Sequence, residues 1–218
     1  GLRWSASAFG TVGWAQSNRA YRYQRFIDDD GTFERDTLLG AQVDVQLTPR
    51  WSATLQARLA PSITEEKRWD VVPTWAFVAW RPTDEWLLRA GKLRLPLFLR
   101  SENLDVGQTY DDARLPAEVY AISPTNDFTG AHVAHTWSLA SGDLTTEAYR
   151  GRGRLTKRFW LREGVPGQLP AGAVFNGVDT TVTGLMTSWR APDLTLRLGV
   201  LHAASKAGDV PFVERPGA

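Results

Sequence analysis

Along much of the chain, apolar and polar residues alternate with period two. In Leu2-Arg3-Trp4-Ser5-Ala6-Ser7-Ala8-Phe9 the even positions are apolar and the odd ones mostly polar. The alternation is cleaner from Leu39 to Leu47, breaks at Thr48-Pro49-Arg50, and resumes from Trp51 to Leu59. Period two sends successive side chains to opposite faces of a strand, and Pro49 suits a tight turn. The pattern predicts a hairpin with Gln42, Asp44, Gln46, Gln56 and Arg58 on one face. Ala41, Val43, Val45, Ala53, Leu55 and Ala57 fall on the other. Further strands are expected at about 74–81, 86–94, 129–138, 144–151, 177–190 and 194–204.

The connections between these strands alternate in length. Thr48–Arg50, Arg81–Glu85, Leu139–Asp143 and Ala191–Asp193 are short, whereas Gln16–Asp36, Ala60–Val72, Leu95–Phe128 and Arg152–Asn176 are long. Loops beyond about 12–15 residues are uncommon in compact domains. An outer-membrane barrel, by contrast, combines short turns on one side with long loops on the other. Strands of about 9–11 residues are also long enough to cross hydrocarbon at a tilt. Trp4, Trp14, Trp51, Trp80, Trp86, Trp137 and Trp189 lie near strand ends, which fits two interfacial girdles.

The expected fold is therefore all-β: an antiparallel, up-and-down transmembrane β-barrel. About nine strands is an odd count, and single-chain bacterial barrels generally have an even one. An open ninth strand would leave an unpaired edge in lipid. Residues 1–218 are accordingly expected to be the N-terminal part of one barrel domain, incomplete in this chain, with a long charged loop at about 95–128. A soluble β-sandwich, such as a carbohydrate-binding domain, gives the same alternation and is the structural rival.

Composition narrows the function. No run of about 18 apolar residues exists, so no transmembrane helix is expected, and a mean hydropathy of −0.29 accords with alternating strands. Ten Trp suit a membrane–water interface. The absence of Cys removes disulfides and thiolate metal sites. A net charge of +1 gives no support to a nucleic-acid partner. Gly1-Leu2-Arg3-Trp4 opens directly on strand-like sequence with no signal-peptide pattern, as in a mature form.

Gly91-Lys92-Leu93-Arg94-Leu95-Pro96 begins as a strand and runs into a long segment of mixed charge. The order GKLRLPLF, SENLDVG and ARLPAEVY over Gly91–Tyr120 resembles the corresponding segment of large-barrel outer-membrane porins of Gram-negative bacteria. The resemblance implies a loop that folds into the channel and narrows it. It also implies a trimer, while the terminal aromatic strand of that family is missing. Charges of both signs suit a constriction, because opposed charges create a transverse field. Arg94, Arg100 and Arg114 are expected on one side; Glu102, Asp105, Asp111, Asp112 and Glu118 on the other. Pro96 and Pro116 bracket the segment. The alternative is an exposed loop whose charges face water.

Pore-lining candidates follow from strand parity: Arg3, Gln42, Asp44, Gln56, Arg58, Arg89 and Arg197. Arg89 and Lys92 point to opposite faces unless a bulge intervenes. A basic run, Gly151 to Arg162, suits lipopolysaccharide phosphates or an anion funnel if it is external; otherwise it is a solvated loop. His132 and His135 fall on opposite faces of a strand and cannot chelate one ion, so no metal is expected. No catalytic motif stands out, so neither an enzyme nor a cofactor is expected.

The sequence reading is thus a porin of the bacterial cell outer membrane, passing small hydrophilic solutes or ions, with outer-membrane lipid and lipopolysaccharide as surroundings and a homo-oligomer as assembly. The functional rival is a non-conducting barrel serving as scaffold or surface interaction protein.

Overall fold

The computed structural model describes residues 1–20, 27–35, 37–62, 68–96, 127–161, 163–167 and 171–207. Among the described residues, nine strands form a single antiparallel sheet in sequence order. They are β1 (Arg3–Thr11), β2 (Leu38–Gln46), β3 (Trp51–Pro61), β4 (Trp69–Trp80), β5 (Trp86–Arg94), β6 (Asp127–Leu139), β7 (Gly142–Leu161), β8 (Gly172–Ala191) and β9 (Leu194–Ala207). Each strand pairs with its neighbours in the chain, so the architecture is an up-and-down meander. β1 and β9 are the two edges, and the sheet is not closed into a barrel.

The two faces differ sharply. One, called inner here, carries the buried residues Gln56, His132, Tyr149, Val182 and Met186. The other, outer face carries Trp4 (71% exposed), Leu55 (55%), Val71 (72%) and Leu198 (80%). Among the described residues, 22 large hydrophobic side chains are exposed and only 10 hydrophobic residues are buried. That ratio inverts the usual soluble arrangement, in which contiguous exposed apolar surface is small.

One rim of the outer face is aromatic. Trp51 opens β3 and Trp80 closes β4; they are register partners, with rings stacked at 5.7 Å. Trp86 opens β5 and meets His135 edge-on at 4.5 Å, and His135 in turn meets Trp137 at 4.2 Å. Trp4, opposite Val45 near the end of β2 that enters the β2–β3 turn, and Trp189, near the end of β8 that enters the β8–β9 turn, lie at the same rim. Trp14 packs edge-on against Phe33 beyond the other end of β1, and Trp69 opens β4 at that opposite rim.

The short turns are held locally. Leu47 N–H donates to the Trp51 carbonyl at 2.9 Å, and the Thr48 hydroxyl accepts from Arg50 and Trp51 N–H. In the β4–β5 turn the Thr83 hydroxyl donates to the Glu85 carboxylate at 2.6 Å. That bond holds the Glu85 carboxyl below its ordinary range.

Three boundaries differ from the sequence reading. β4 begins at Trp69, so the preceding connection is shorter than Ala60–Val72. The cause is a bulge: β3–β4 register shifts between Gln56 and Ala57, and Thr74 is the extra residue. Trp69, Val71 and Pro73 therefore share the outer face with Ala76, Val78 and Trp80, out of phase with simple alternation. The expected long connection Arg152–Asn176 is instead largely strand, because β7 runs to Leu161 and β8 begins at Gly172. Here Arg150, Arg152 and Arg154 alternate with Gly151 and Gly153, so pairing continues without an apolar face to reveal it.

A small apolar cluster occupies part of the inner face. It comprises Leu93, Leu95, Phe128, Tyr149 and Val182, with Phe77 and Leu201 packed against it. The Tyr149 ring lies where a Cβ on its register partner Gly184 would stand. Gly91 has φ 132° and opposes Phe77, and a Cβ there would collide with the Ala76 carbonyl.

Candidate functional site: the polar inner face

Register alone brings distant polar residues together. Arg3 opposes Gln46, Ser5 opposes Asp44 and Ser7 opposes Gln42 across β1–β2. Gln42 opposes Gln56, Asp44 opposes Thr54, and Gly40 opposes Arg58 across β2–β3. The side chains then bond along the face. Thr54 Oγ1 donates to Asp44 Oδ1 at 2.7 Å and Gln42 Nε2 to Asp44 Oδ2 at 2.8 Å. Gln56 Nε2 donates to Gln42 Oε1 at 2.8 Å, and Thr74 Oγ1 to Gln56 Oε1 at 2.6 Å. The bulge at Thr74 is what presents that hydroxyl to buried Gln56. The result is a ladder across β2, β3 and β4, anchored at one end by a carboxylate.

A second row crosses β5 to β9. Arg89 Nε lies 3.4 Å from His132 Nδ1, and His132 Nε2 lies 3.1 Å from Glu147 Oε1. Glu147 Oε2 lies 3.9 Å from Arg197 Nη2. The Arg89 guanidinium also sits 5.8 Å from the centroid of the Phe77 ring, a cation–π distance. Cation, imidazole, carboxylate and cation thus alternate over five strands. This row orders polar partners by charge.

Leu95 and Pro96, just beyond β5, lie over this face. Leu95 is 1% exposed, Pro96 is buried, and the Pro96 carbonyl accepts from Arg197 Nη2 at 3.2 Å. Trp75, Arg89, Arg94, Pro96 and His132 line a small cleft beneath it. Arg94, predicted at the constriction, lines this cleft with Arg89, although its place at the end of β5 shares the parity of Lys92. Arg94 and Arg58 are close enough to repel, and Asp127, the register partner of Arg94, offsets part of that charge.

All seven pore-lining candidates share the inner face by register: Arg3, Gln42, Asp44, Gln56, Arg58, Arg89 and Arg197. β5 pairs without a register shift, so Lys92 faces the other way and forms an ion pair with Asp127 at 3.2 Å. Arg100, Glu102, Asp105, Asp111, Asp112, Arg114 and Glu118 lie outside the described residues. His132 and His135 occupy opposite faces. Sequence reasoning missed the pairing of His132 with Glu147. Parity puts Glu147 on one face with Thr145 and Tyr149, opposite Ala148, but does not say which strand adjoins it.

No known protein-family model matches the chain, and no curated protein matches it in sequence.

Proposed function

We propose that the sheet is the wall of an outer-membrane channel of the porin type, with the inner face turned to water and the outer face to lipid. The observation that carries this reading is the inversion of the two faces. A ladder of hydrogen-bonded amides, hydroxyls and charges lies inside, and an exposed apolar band edged by Trp lies outside. Water in a lumen would solvate Arg3, Asp44 and the charged row; lipid would cover Leu55, Val71, Leu198 and Val200. In this reading the open edges of β1 and β9 require further pairing strands, since an unpaired edge is not viable in hydrocarbon. The channel passes small hydrophilic solutes or ions without covalent chemistry, and opposed charges along the face order them.

A second reading is supported by the apolar cluster. Leu93, Leu95, Phe128, Tyr149 and Val182 fill part of the inner face beneath the chain leaving β5. A lumen closed there would make the protein a non-conducting scaffold. Planar-bilayer recording of the detergent-purified protein separates the two: discrete conductance steps support the channel, and insertion without conductance supports the scaffold. A protein that stays folded and soluble without detergent contradicts both.

A further inference from the structure

On the outer face, a groove of about 520 Å³ runs across the sheet from Trp51 and Trp80 to Arg150 and Thr183. Its floor is made by small residues in register: Ala90 opposes Ala131, and Ala148 opposes Val133 beside them. Its rim is made by Trp51, Trp80 and Leu88. Small residues between large ones leave a channel in an otherwise continuous apolar surface, with a volume in the range of about 300–1,000 Å³ usual for small-molecule sites.

The end of the groove is cationic. Arg150 lines it, and Arg152 and Arg154 follow at alternate positions of β7, so all three project from the outer face about 7 Å apart. All three are exposed. Among the described residues, no hydrogen bond or ion pair engages any of them. Arg150 opposes Ala131 and Thr183; Arg152 opposes Thr129 and Thr181. Arg154 opposes the one acid of this stretch, Asp179, while its guanidinium lies over Gly177. Three guanidinium forks with one opposing carboxylate form a net positive strip that meets the apolar groove at Arg150. The fork geometry of arginine suits phosphate oxygens.

We infer that the groove seats an acyl chain of a phosphorylated membrane lipid, whose phosphate is held by Arg150, Arg152 and Arg154. The inference rests on the membrane reading above and adds a specific lipid site to it. An inner-face solute does not meet these arginines, and a phosphate-free lipid leaves their charge unmatched. The apolar groove and the cationic strip therefore select an amphiphile carrying both parts.

The test is native mass spectrometry of the full chain, folded in neutral detergent and titrated with phosphatidic acid. Diacylglycerol with the same chains and inorganic phosphate are the comparisons. Phosphatidic acid is expected to be retained about tenfold more strongly than diacylglycerol, as loss of charge-assisted bonds implies, and inorganic phosphate not at all. The triple variant Arg150→Gln/Arg152→Gln/Arg154→Gln, which alters only exposed side chains, is expected to abolish that preference. Ala131→Phe, which fills the floor, is expected to weaken retention with the arginines intact. Equal retention of diacylglycerol, retention of inorganic phosphate alone, or an unchanged preference in the triple variant overturns the inference. Conductance recorded on the same preparation separates the two levels. A conducting protein with no phosphate preference loses only the lipid site, whereas a protein that never enters bilayers loses the membrane reading itself.

Discussion

Arg197 on β9 donates to the backbone carbonyl of Pro96 at 3.2 Å, joining residues 101 positions apart in sequence. β9 lies four strands away from β5 in the sheet. Pro96, two residues beyond β5, is therefore held against the inner face. Arg197 also approaches Glu147 at 3.9 Å, so one guanidinium ties the segment to the charged row.

Removing that tie should loosen the segment. Arg197→Ala is expected to cost about 1–2 kcal/mol, because a partly exposed charge-assisted bond is lost and Glu147 keeps its bond to His132. Urea unfolding in detergent measures the loss. If the segment narrows a conducting lumen, single-channel conductance rises in the same variant.

The amide ladder makes an asymmetric prediction. Gln56→Leu leaves Gln42 Oε1 without its donor and Thr74 Oγ1 with only the Gln56 backbone carbonyl, and should destabilise by about 1–3 kcal/mol, the cost of an unpaired polar group beside an apolar one. The double variant Gln42→Leu/Gln56→Leu, which removes both partners, is expected to cost less than the sum of the two single changes. Additive losses in the double-mutant cycle contradict the ladder.

Neighbouring positions of one strand should respond oppositely. Leu55→Arg puts a charge on the outer face of β3 and is expected to impede insertion by about 2–4 kcal/mol if that position faces the bilayer midplane. Thr54→Arg, one residue away on the inner face, should insert normally. Folding into liposomes, followed by the gel shift of the folded form, reads both.

Tyr149 and Gly184 make a packing prediction. Gly184→Val places a branched side chain where the Tyr149 ring lies, and overpacking of this kind costs about 1–3 kcal/mol. Gly184→Val/Tyr149→Ala should recover part of that loss in a thermal melt.

Much of the sheet was legible in the sequence, and for a physical reason. Where one face is apolar and the other polar, as from Leu39 to Leu59, period two fixes strand, face and register together. Legibility failed where that contrast failed. At Thr74 one extra residue reversed the phase of β4, and at Arg150–Arg154 glycines and arginines alternated with no apolar member at all. The pore-lining candidates were reached by parity, which register then placed on one face. The pairing of His132 with Glu147 was missed because it depends on which strands adjoin, and a single strand's pattern cannot show that. The drawing of Pro96 towards Arg197 is likewise a long-range contact, invisible to local alternation.

The central claim is that one face of the sheet meets water and the other meets lipid. The chain has no cysteine, so single cysteines can be introduced along β3 without background. Each of Ser52, Thr54, Gln56 and Arg58 on the inner face, and Ala53, Leu55, Ala57 and Leu59 on the outer, is replaced in turn. The proteins are folded into liposomes and treated with a charged, membrane-impermeant maleimide. The account predicts labelling that alternates with period two, inner positions modified and outer ones protected. Uniform labelling of both sets, or modification of the outer set alone, would contradict it.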